Sequence, residues 1–260
     1  MGDVTHYPNG TFCWIDLATP DVAGARAFYG DLLGWEMDDL PAEQGGTWTM
    51  CRLRGKAVAA IHEDPDEPAE WDSFISVDDV DATTLRAGEL GATVLVDPFD
   101  VPDAGRMSVL RDPVDAVVSL WQPRGRIGAE YVNDVGAWNW NELVTPEIDR
   151  ATAFYGELFG WTSQELPVQI RRASLQLGDL LIGGVHAPTP PEGDAARWTI
   201  SFTVDDADRA AARTEALGGR VLLPPMAIPN GTFTIVADPA GAAITLAAAP
   251  GGPLRGVDGS

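Results

Sequence analysis

Hydrophobic and polar residues alternate in the segment that ends at Thr19. Trp14 and Asp16 fall on one side of this alternation, whereas the other side carries only the apolar residues Cys13, Ile15 and Leu17. A period of two is typical of a strand that buries one of its faces. The pattern therefore predicts a strand that turns Trp14 and Asp16 toward a separate surface.

Helical spacing follows directly after this strand. Ala25, Phe28 and Leu32 recur three and four residues apart, which marks one face of a helix. Thr19 can cap this helix with a proline in its first position, and Gly34 can end it in the left-handed conformation. The segment thus predicts one strand followed by one helix.

The same segment occurs twice in the chain. Trp14 to Trp35 returns as Trp140 to Trp161, 126 residues further along (140 minus 14), and the FYG triplets and Gly-Trp pairs keep this offset. A repeat of this length indicates two domains, because each copy is long enough to bury its own core. We predict a first domain over residues 1–127, a second over 128–250 and a disordered tail over 251–260.

The remaining segments complete each copy in the same order. Three strand-like runs separated by proline and glycine turns follow the first helix. An acidic loop over 64–70 then leads into a second alternating strand, another helix and three more strands, and the Asp-Pro turn at Asp112 returns at Asp238. The sequence therefore predicts that each half contains two units, each made of one strand, one helix and three further strands.

Composition excludes several classes of partner. The formal net charge is −22, with 17 basic and 39 acidic residues, so a basic patch for nucleic acid or an anionic membrane is not expected. No leader segment and no apolar run of about 18 residues is present, which predicts a cytoplasmic protein with no membrane partner. We expect a monomer or homodimer. Cys13 and Cys51 are expected to be buried reduced thiols.

Several longer motifs carry a family resemblance. They are the helix ends AFYGDLLGW and AFYGELFGW, the strand-to-helix junctions SVDDVDA and TVDDADR, and the final strands RDPVDAVVSLW and ADPAGAAITL. Over residues 10–248 this pattern resembles the vicinal oxygen chelate superfamily, which includes glyoxalase I, extradiol dioxygenases and bleomycin-resistance proteins. It is particularly similar to two-domain actinobacterial members catalogued as glyoxalase-like proteins or hydroxylases.

The resemblance implies an α+β fold with a tandem duplication of glyoxalase-like domains. Each domain would consist of two paired βαβββ modules that form a curled mixed sheet, a cup with the helices outside. We assume that the modules pair within each half rather than across the halves.

The resemblance also implies where a metal would bind, at four inward strand positions in each cup. These positions fall at Trp14, Ala60, Asp72 and Ser119 in the first half, and at Trp140, Gly184, Thr199 and Thr245 in the second. Divalent transition metals normally need three or more imidazole or carboxylate ligands. Neither set supplies them, so we expect no metal and no other cofactor.

Further side chains share the inward face with these positions. Asp16 lies beside Trp14, and Glu142 lies beside Trp140. A partly desolvated carboxylate can act as a general acid or base, and the alternative is a carboxylate that only fixes the cup through hydrogen bonds. His62 can assist such catalysis or can be an ordinary residue at the end of a strand.

Ligand contacts are expected from the aromatic and hydroxyl residues of both cups. Trp14, Phe74 and Trp121 can stack on a planar ligand, with ordinary core packing as the alternative. The predicted ligand-binding residues are Trp14, Asp72, Phe74, Ser119, Trp121, Trp140, His186, Thr199 and Thr245. The first cup, or the groove between the domains, is expected to be the more functional site.

Three functions remain open from the sequence. The favoured hypothesis is metal-independent binding of an aromatic or hydrophobic small metabolite, such as an antibiotic or secondary-metabolism intermediate held by resistance-type sequestration. The alternative is a secondary-metabolism enzyme, hydroxylase-like or an isomerase or lyase, in which Asp16 or Glu142 moves a proton. A metal-dependent glyoxalase or dioxygenase with unusual ligands, such as His62, Asp72 and Asp16, is the third.

Overall fold

The computed structural model describes residues 2–41, 47–168, 170–189, 193, 195–229 and 231–248. The tail predicted to be disordered lies outside these residues. The elements of the first half are β1 (Phe12–Thr19), α1 (Val22–Leu33), β2 (Glu36–Pro41), β3 (Thr47–Leu53), β4 (Lys56–Glu63), β5 (Glu70–Ser76), α2 (Val80–Glu89), β6 (Thr93–Val101), β7 (Gly105–Arg111) and β8 (Val117–Pro123).

The second half repeats this order. Its elements are β9 (Trp138–Val144), α3 (Ile148–Phe159), β10 (Thr162–Glu165), β11 (Arg172–Leu177), β12 (Leu180–His186), β13 (Arg197–Thr203), α4 (Ala207–Ala216), β14 (Arg220–Ile228), β15 (Gly231–Ala237) and β16 (Ala243–Ala248). Within the described ranges, no helix is both long and apolar enough to cross a bilayer.

Each half forms its own eight-stranded sheet. The strand orders are β2-β3-β4-β1-β5-β8-β7-β6 and β10-β11-β12-β9-β13-β16-β15-β14. In the first sheet the antiparallel pair of β1 and β5 joins two βαβββ modules, and β9 with β13 does the same in the second. The predicted α+β fold is confirmed, and the modules pair within each half.

The linker between the sheets remains attached to the first one. Ala129 donates its N–H to the carbonyl of Cys13 at 2.8 Å, and Glu130 donates to the carbonyl of Ala57 at 2.7 Å. These bonds insert the linker between the starts of β1 and β4. The domain boundary at residue 127 therefore stays a prediction, since residues beyond it still bond to the first sheet.

The predicted helix cap is wrong, whereas the predicted helix end is confirmed. Asp21 rather than Thr19 caps α1, because the Asp21 carboxylate accepts the N–H of Gly24 at 2.8 Å. Thr19 is still part of β1, and its carbonyl accepts the N–H of Asp64 at 3.0 Å. The helix therefore begins only after Thr19 and Pro20, with Asp21 as its cap. Gly34 ends α1 with φ 74°.

The helices and the apolar strand faces pack together between the two sheets. Tyr29 on α1 accepts the indole N–H of Trp71 at 3.0 Å and donates its hydroxyl to Asp238 of the other half at 3.1 Å. The repeat supplies the equivalent contacts, from Trp198 to Tyr155 at 2.9 Å and from Tyr155 to Asp112 at 2.7 Å. Two related hydrogen-bond chains thus join the domains.

The two cysteines belong to the same buried region. Cys13 and Cys51 are buried and form no disulfide, as predicted. Burial raises the pKa of both thiols well above the usual range. Neither sulfur is therefore suited to act as a thiolate nucleophile near neutral pH.

Candidate functional site

The helix-free face of each sheet carries the residues singled out from the sequence. Trp71 bonds to Tyr29 on the helix side, so its neighbour Asp72 points to the opposite face. Trp198 bonds to Tyr155 in the same way, which turns Thr199 outward. We call these faces the first cup, in residues 12–123, and the second cup, in residues 138–248.

Strand register places two carboxylates side by side in the first cup. Asp16 on β1 lies directly opposite Asp72 on β5, and its parallel neighbour on β4 is Ala60. Directly opposed residues on antiparallel strands have their Cβ atoms only about 5 Å apart. The site is therefore built around a carboxylate pair.

His62 completes this group. Asp16 is 1% exposed, and its Oδ1 lies 3.4 Å from Nδ1 of His62. Within the described part of the chain, neither of these two buried atoms has a hydrogen-bond partner, and the two side chains form an ion pair when His62 is protonated. Burial lowers the pKa of His62, but the nearby carboxylates outweigh this effect and leave that pKa above its usual value.

The carboxyl group of Asp72 has a pKa that suits proton transfer. Burial and the charges of Asp16 and Glu70 raise the pKa of Asp72 to about 7, with His62 acting in the opposite direction. Both forms of the Asp72 carboxyl are therefore populated near neutral pH. Such a group can accept a proton and return it without a large energetic penalty.

Aromatic side chains surround the carboxylates. Trp14 lies opposite Phe74, and Phe74 lies beside Ser119 on β8. The predicted residues Trp14, Asp72, Phe74 and Ser119 thus share one face. Phe74 and Trp121 are buried and also belong to the hydrophobic core, so packing and ligand contact are both open to them.

Two further residues of this cup were missed from the sequence. The ring of Trp48 stacks on His62, with centroids 4.6 Å apart and planes inclined by 26°, and Trp48 remains 37% exposed. The linker residue Arg126 accepts the indole N–H of Trp121 at its carbonyl and points its guanidinium toward the sulfur of Met50 at 3.8 Å. The alternation of TWTMCRL could have revealed Trp48, but no local signal marks Arg126.

The second cup has a different balance of charge. Glu142 lies opposite Thr199, and its Oε2 accepts a hydrogen bond from Arg172 at 2.6 Å. A Cβ at Gly184 would come within 2.8 Å of Glu142 Oε1, so glycine makes room for the carboxylate. Arg172 was not among the predicted site residues, and only the pairing of β11 with β12 brings it to Glu142.

The other predicted residues of this cup are divided between two places. Thr199 and Thr245 line a cavity of about 320 Å³. Trp140 lies next to Glu142 and lines a much smaller cavity of about 30 Å³ at the start of β9. His186 is only 8% exposed, and its Nδ1 lies 2.9 Å from the carbonyl of Ala187, so it is not a solvated strand end.

The donor sets do not fit a transition metal. Of the four implied positions in the first cup, Trp14, Ala60 and Ser119 carry neither imidazole nor carboxylate, and the second set carries none. Among the described residues, no group of three histidine, cysteine, aspartate or glutamate side chains is placed to hold a metal ion. Asp16, His62 and Asp72 are close together without having that arrangement.

Comparison with known families agrees with this architecture. Residues 14–120 match the model described as glyoxalase-like domain, and residues 137–246 match the glyoxalase/bleomycin resistance protein/dioxygenase superfamily. The chain belongs to this superfamily. The first match spans nearly all of β1 to β8, and the second spans nearly all of β9 to β16.

Individual superfamily members resemble the whole chain. CFP32 of Mycobacterium bovis, a candidate glyoxylase, is 42% identical over 247 residues, covering 92% of this chain and 94% of the relative. The anthracycline biosynthesis protein DnrV of Streptomyces peucetius is 30% identical over 260 residues, covering 94% of each. The Mn(II)-bound glyoxalase of Novosphingobium aromaticivorans superposes with a TM-score of 0.66 at 16% identity, covering 99% of this chain and 85% of that one. This last likeness concerns the fold alone.

Proposed function

We propose that the first cup binds a planar aromatic metabolite without a metal ion. The observation that carries this proposal is the ring of aromatic side chains around the carboxylate pair. Trp14, Phe74 and the stacked pair of Trp48 and His62 lie on the helix-free face of the first sheet, together with Asp16 and Asp72. Aromatic surfaces stack on planar ligands and contribute binding through buried area alone.

The relatives support the same ligand class. DnrV is named for anthracycline biosynthesis, and anthracyclines are polycyclic aromatic compounds. CFP32 is instead named a glyoxylase, and the family resemblance implies a bound metal in the metal-dependent members. The implied ligand positions in this chain lack the donors that such a metal needs, and we therefore favour the aromatic ligand.

A titration with 1,8-dihydroxyanthraquinone in the presence of EDTA tests this proposal. We expect saturable binding at micromolar concentration, followed by calorimetry, and a loss of about tenfold in Trp14→Ala because a large stacking surface is removed. Trp140→Ala changes the equivalent tryptophan of the second cup and should leave binding unchanged. Absence of binding in EDTA, or an equal loss in both variants, would contradict the proposal.

A second candidate function is proton transfer on the bound aromatic compound. It is favoured by the pairing of Asp72, whose pKa is about 7, with the buried Asp16. The Asp72 carboxylate would take a proton from an acidic C–H beside a ring carbonyl and return it to the carbonyl oxygen. This step breaks one C–H bond, forms one O–H bond and converts the ketone to its enol without a further reactant.

Asp16 and His62 have supporting roles in this step. Burial, and after it the charge of Asp16, raises the pKa of Asp72 enough for it to hold a proton near neutral pH. Contact with Asp16 in turn favours the protonated form of His62, which limits the net negative charge of the site. Because Asp72 is protonated once the enolate has formed, the enolate would otherwise face the Asp16 carboxylate without a compensating positive charge.

Deuterium exchange at the acidic methylene of anthrone, observed by NMR in heavy water, tests the proton transfer. The protein should accelerate this exchange, and Asp72→Asn should reduce the acceleration about a hundredfold, in line with the usual contribution of a general base. Glu67→Gln removes a carboxylate from an exposed loop and serves as the control. Unchanged exchange in Asp72→Asn would remove Asp72 from the mechanism while leaving ligand binding to be judged separately.

A further inference from the structure

The second cup contains a cavity that the first-cup proposal does not use. It has a volume of about 320 Å³, at the lower end of the range for small-molecule sites. Polar side chains come from β13 and β16, and apolar side chains come from β14, β15 and β16. The lining residues are Arg197, Thr199, Leu222, Ile235, Ala243, Ile244 and Thr245.

The repeat allows the two cups to be compared position by position. Thr199 lies opposite Glu142 just as Asp72 lies opposite Asp16, so a neutral hydroxyl replaces the first cup's proton-carrying carboxyl. Arg197 lies opposite Val144, at the position that Glu70 occupies opposite Ala18. A cation has therefore replaced an anion.

A third difference between the cups also makes the second cup less negative. Arg172 lies opposite His186, where the first cup has Trp48 opposite His62. Arg172 binds Glu142 at 2.6 Å and neutralises the one carboxylate that corresponds to Asp16. The first cup thus gathers three carboxylates, whereas the second has one neutralised carboxylate and a further guanidinium group at Arg197.

We propose that the second cup is a separate binding site for a small amphiphilic carboxylate. Arg197 would bind the ligand carboxylate, since one of its N–H groups is used by the carbonyl of Ala195 at 3.1 Å and a guanidinium has four more to offer. Thr245 presents its hydroxyl to the same cavity as a second donor. The apolar part of the ligand would contact Leu222 on β14 and Ile235 on β15, both half-buried.

The hydroxyl of Thr199 is already used within the sheet. Its Oγ1 already donates to the carbonyl of Glu142 at 3.1 Å, so it fixes the strand pair and offers only an acceptor to the ligand. A carboxylate at this position, as in Asp72, would repel an anionic ligand. The absence of that carboxylate is what makes the second cup suitable for an anion.

Octanoate is a simple probe with the required chemistry, and 1-octanol is its uncharged counterpart. Calorimetry should show octanoate binding to the whole protein more tightly than octanol, and Arg197→Gln should weaken octanoate about tenfold while leaving octanol unaffected. Thr199→Asp, which restores the residue of the first cup, should abolish octanoate binding. Thr199→Asn has the size of Thr199→Asp without its charge, and it should weaken octanoate binding much less than Thr199→Asp does.

The outcomes separate this inference from the first-cup proposal. Amide chemical-shift changes caused by octanoate should be confined to β13 through β16, and Trp14→Ala should not alter them. Failure of octanoate to bind at millimolar concentration, equal binding of octanol, or indifference to both Arg197→Gln and Thr199→Asp would overturn the inference. None of these results depends on whether anthraquinone binds the first cup.

Discussion

Replacing Asp72 by asparagine is expected to stabilise the protein above neutral pH. Folding raises the pKa of this carboxyl from 3.8 to about 7, chiefly through burial and the charge of Asp16. Between these values the unfolded chain has lost the Asp72 proton while the folded protein still holds it. The free energy of unfolding therefore falls as the pH rises from about 4 to about 7, since the native state binds more protons.

The size of the effect follows from the shift. About three pKa units correspond to roughly 4 kcal/mol, and partial solvent access to Asp72 reduces the expected value to about 2 kcal/mol. Asparagine has nearly the same shape and cannot ionise, so Asp72→Asn should remove this penalty at pH 8 and have little effect at pH 4. Its stability should also vary less across the interval.

Urea unfolding followed by circular dichroism at several pH values between 4 and 8 measures this directly. Glu67→Gln also removes one carboxylate but lies in an exposed loop, so its pH profile should match that of the unaltered protein. If the pH profile of Asp72→Asn runs parallel to that of the unaltered protein, or if the variant is less stable at pH 8, the pKa of Asp72 is not raised by burial. Such a result would mean that Asp72 is either well solvated or held as a stabilising anion.

Three further substitutions test the structure around the cups. Tyr155→Phe removes the hydroxyl that links Trp198 to Asp112. Two buried polar groups then lose a partner, so urea titrations should show a free energy of unfolding that is lower by about 1–3 kcal/mol. An unchanged free energy would mean that these groups are in contact with water. Gly136→Ala should lower the thermal stability more than Gly55→Ala does. Both glycines have positive φ, but only at Gly136 would an added Cβ come within 2.4 Å of a carbonyl oxygen. Equal losses of stability would contradict the close packing at Gly136. Leu143→Ala, at a fully buried position of β9, should cost about 2–5 kcal/mol by the same assay, and a loss below 1 kcal/mol would argue against its burial.

The fold could be predicted from the sequence because its signals are local and repeated. Alternation around Trp14 and the spacing of Phe28 are short-range patterns, and the second copy gave each one an independent check. The helix cap could not be predicted in the same way. Whether Thr19 caps the helix or remains in the strand depends on its pairing with β4, which is a contact between distant segments.

The residues of the candidate site also divide into those that local patterns reveal and those that depend on the register of distant strands. Asp16, Asp72 and Phe74 were placed on one face by alternation and by alignment of the two modules, and the sheet brings them together. Trp48 and Arg172 reach the cups through neighbouring strands whose register cannot be counted from the sequence. The pKa of Asp72 was also not foreseen, because it depends on burial and on charges from separate strands.

Native mass spectrometry of the purified protein, combined with elemental analysis, tests whether the first cup binds an aromatic molecule without a metal. We expect the protein to retain an aromatic organic molecule and to contain no stoichiometric manganese, iron, nickel or zinc, even after expression with added metal. The Trp14→Ala variant should lose this organic mass. A stoichiometric transition metal bound to the folded protein would contradict the metal-independent proposal, because it would mean that one of the cups completes a metal site that its described imidazole and carboxylate groups do not form.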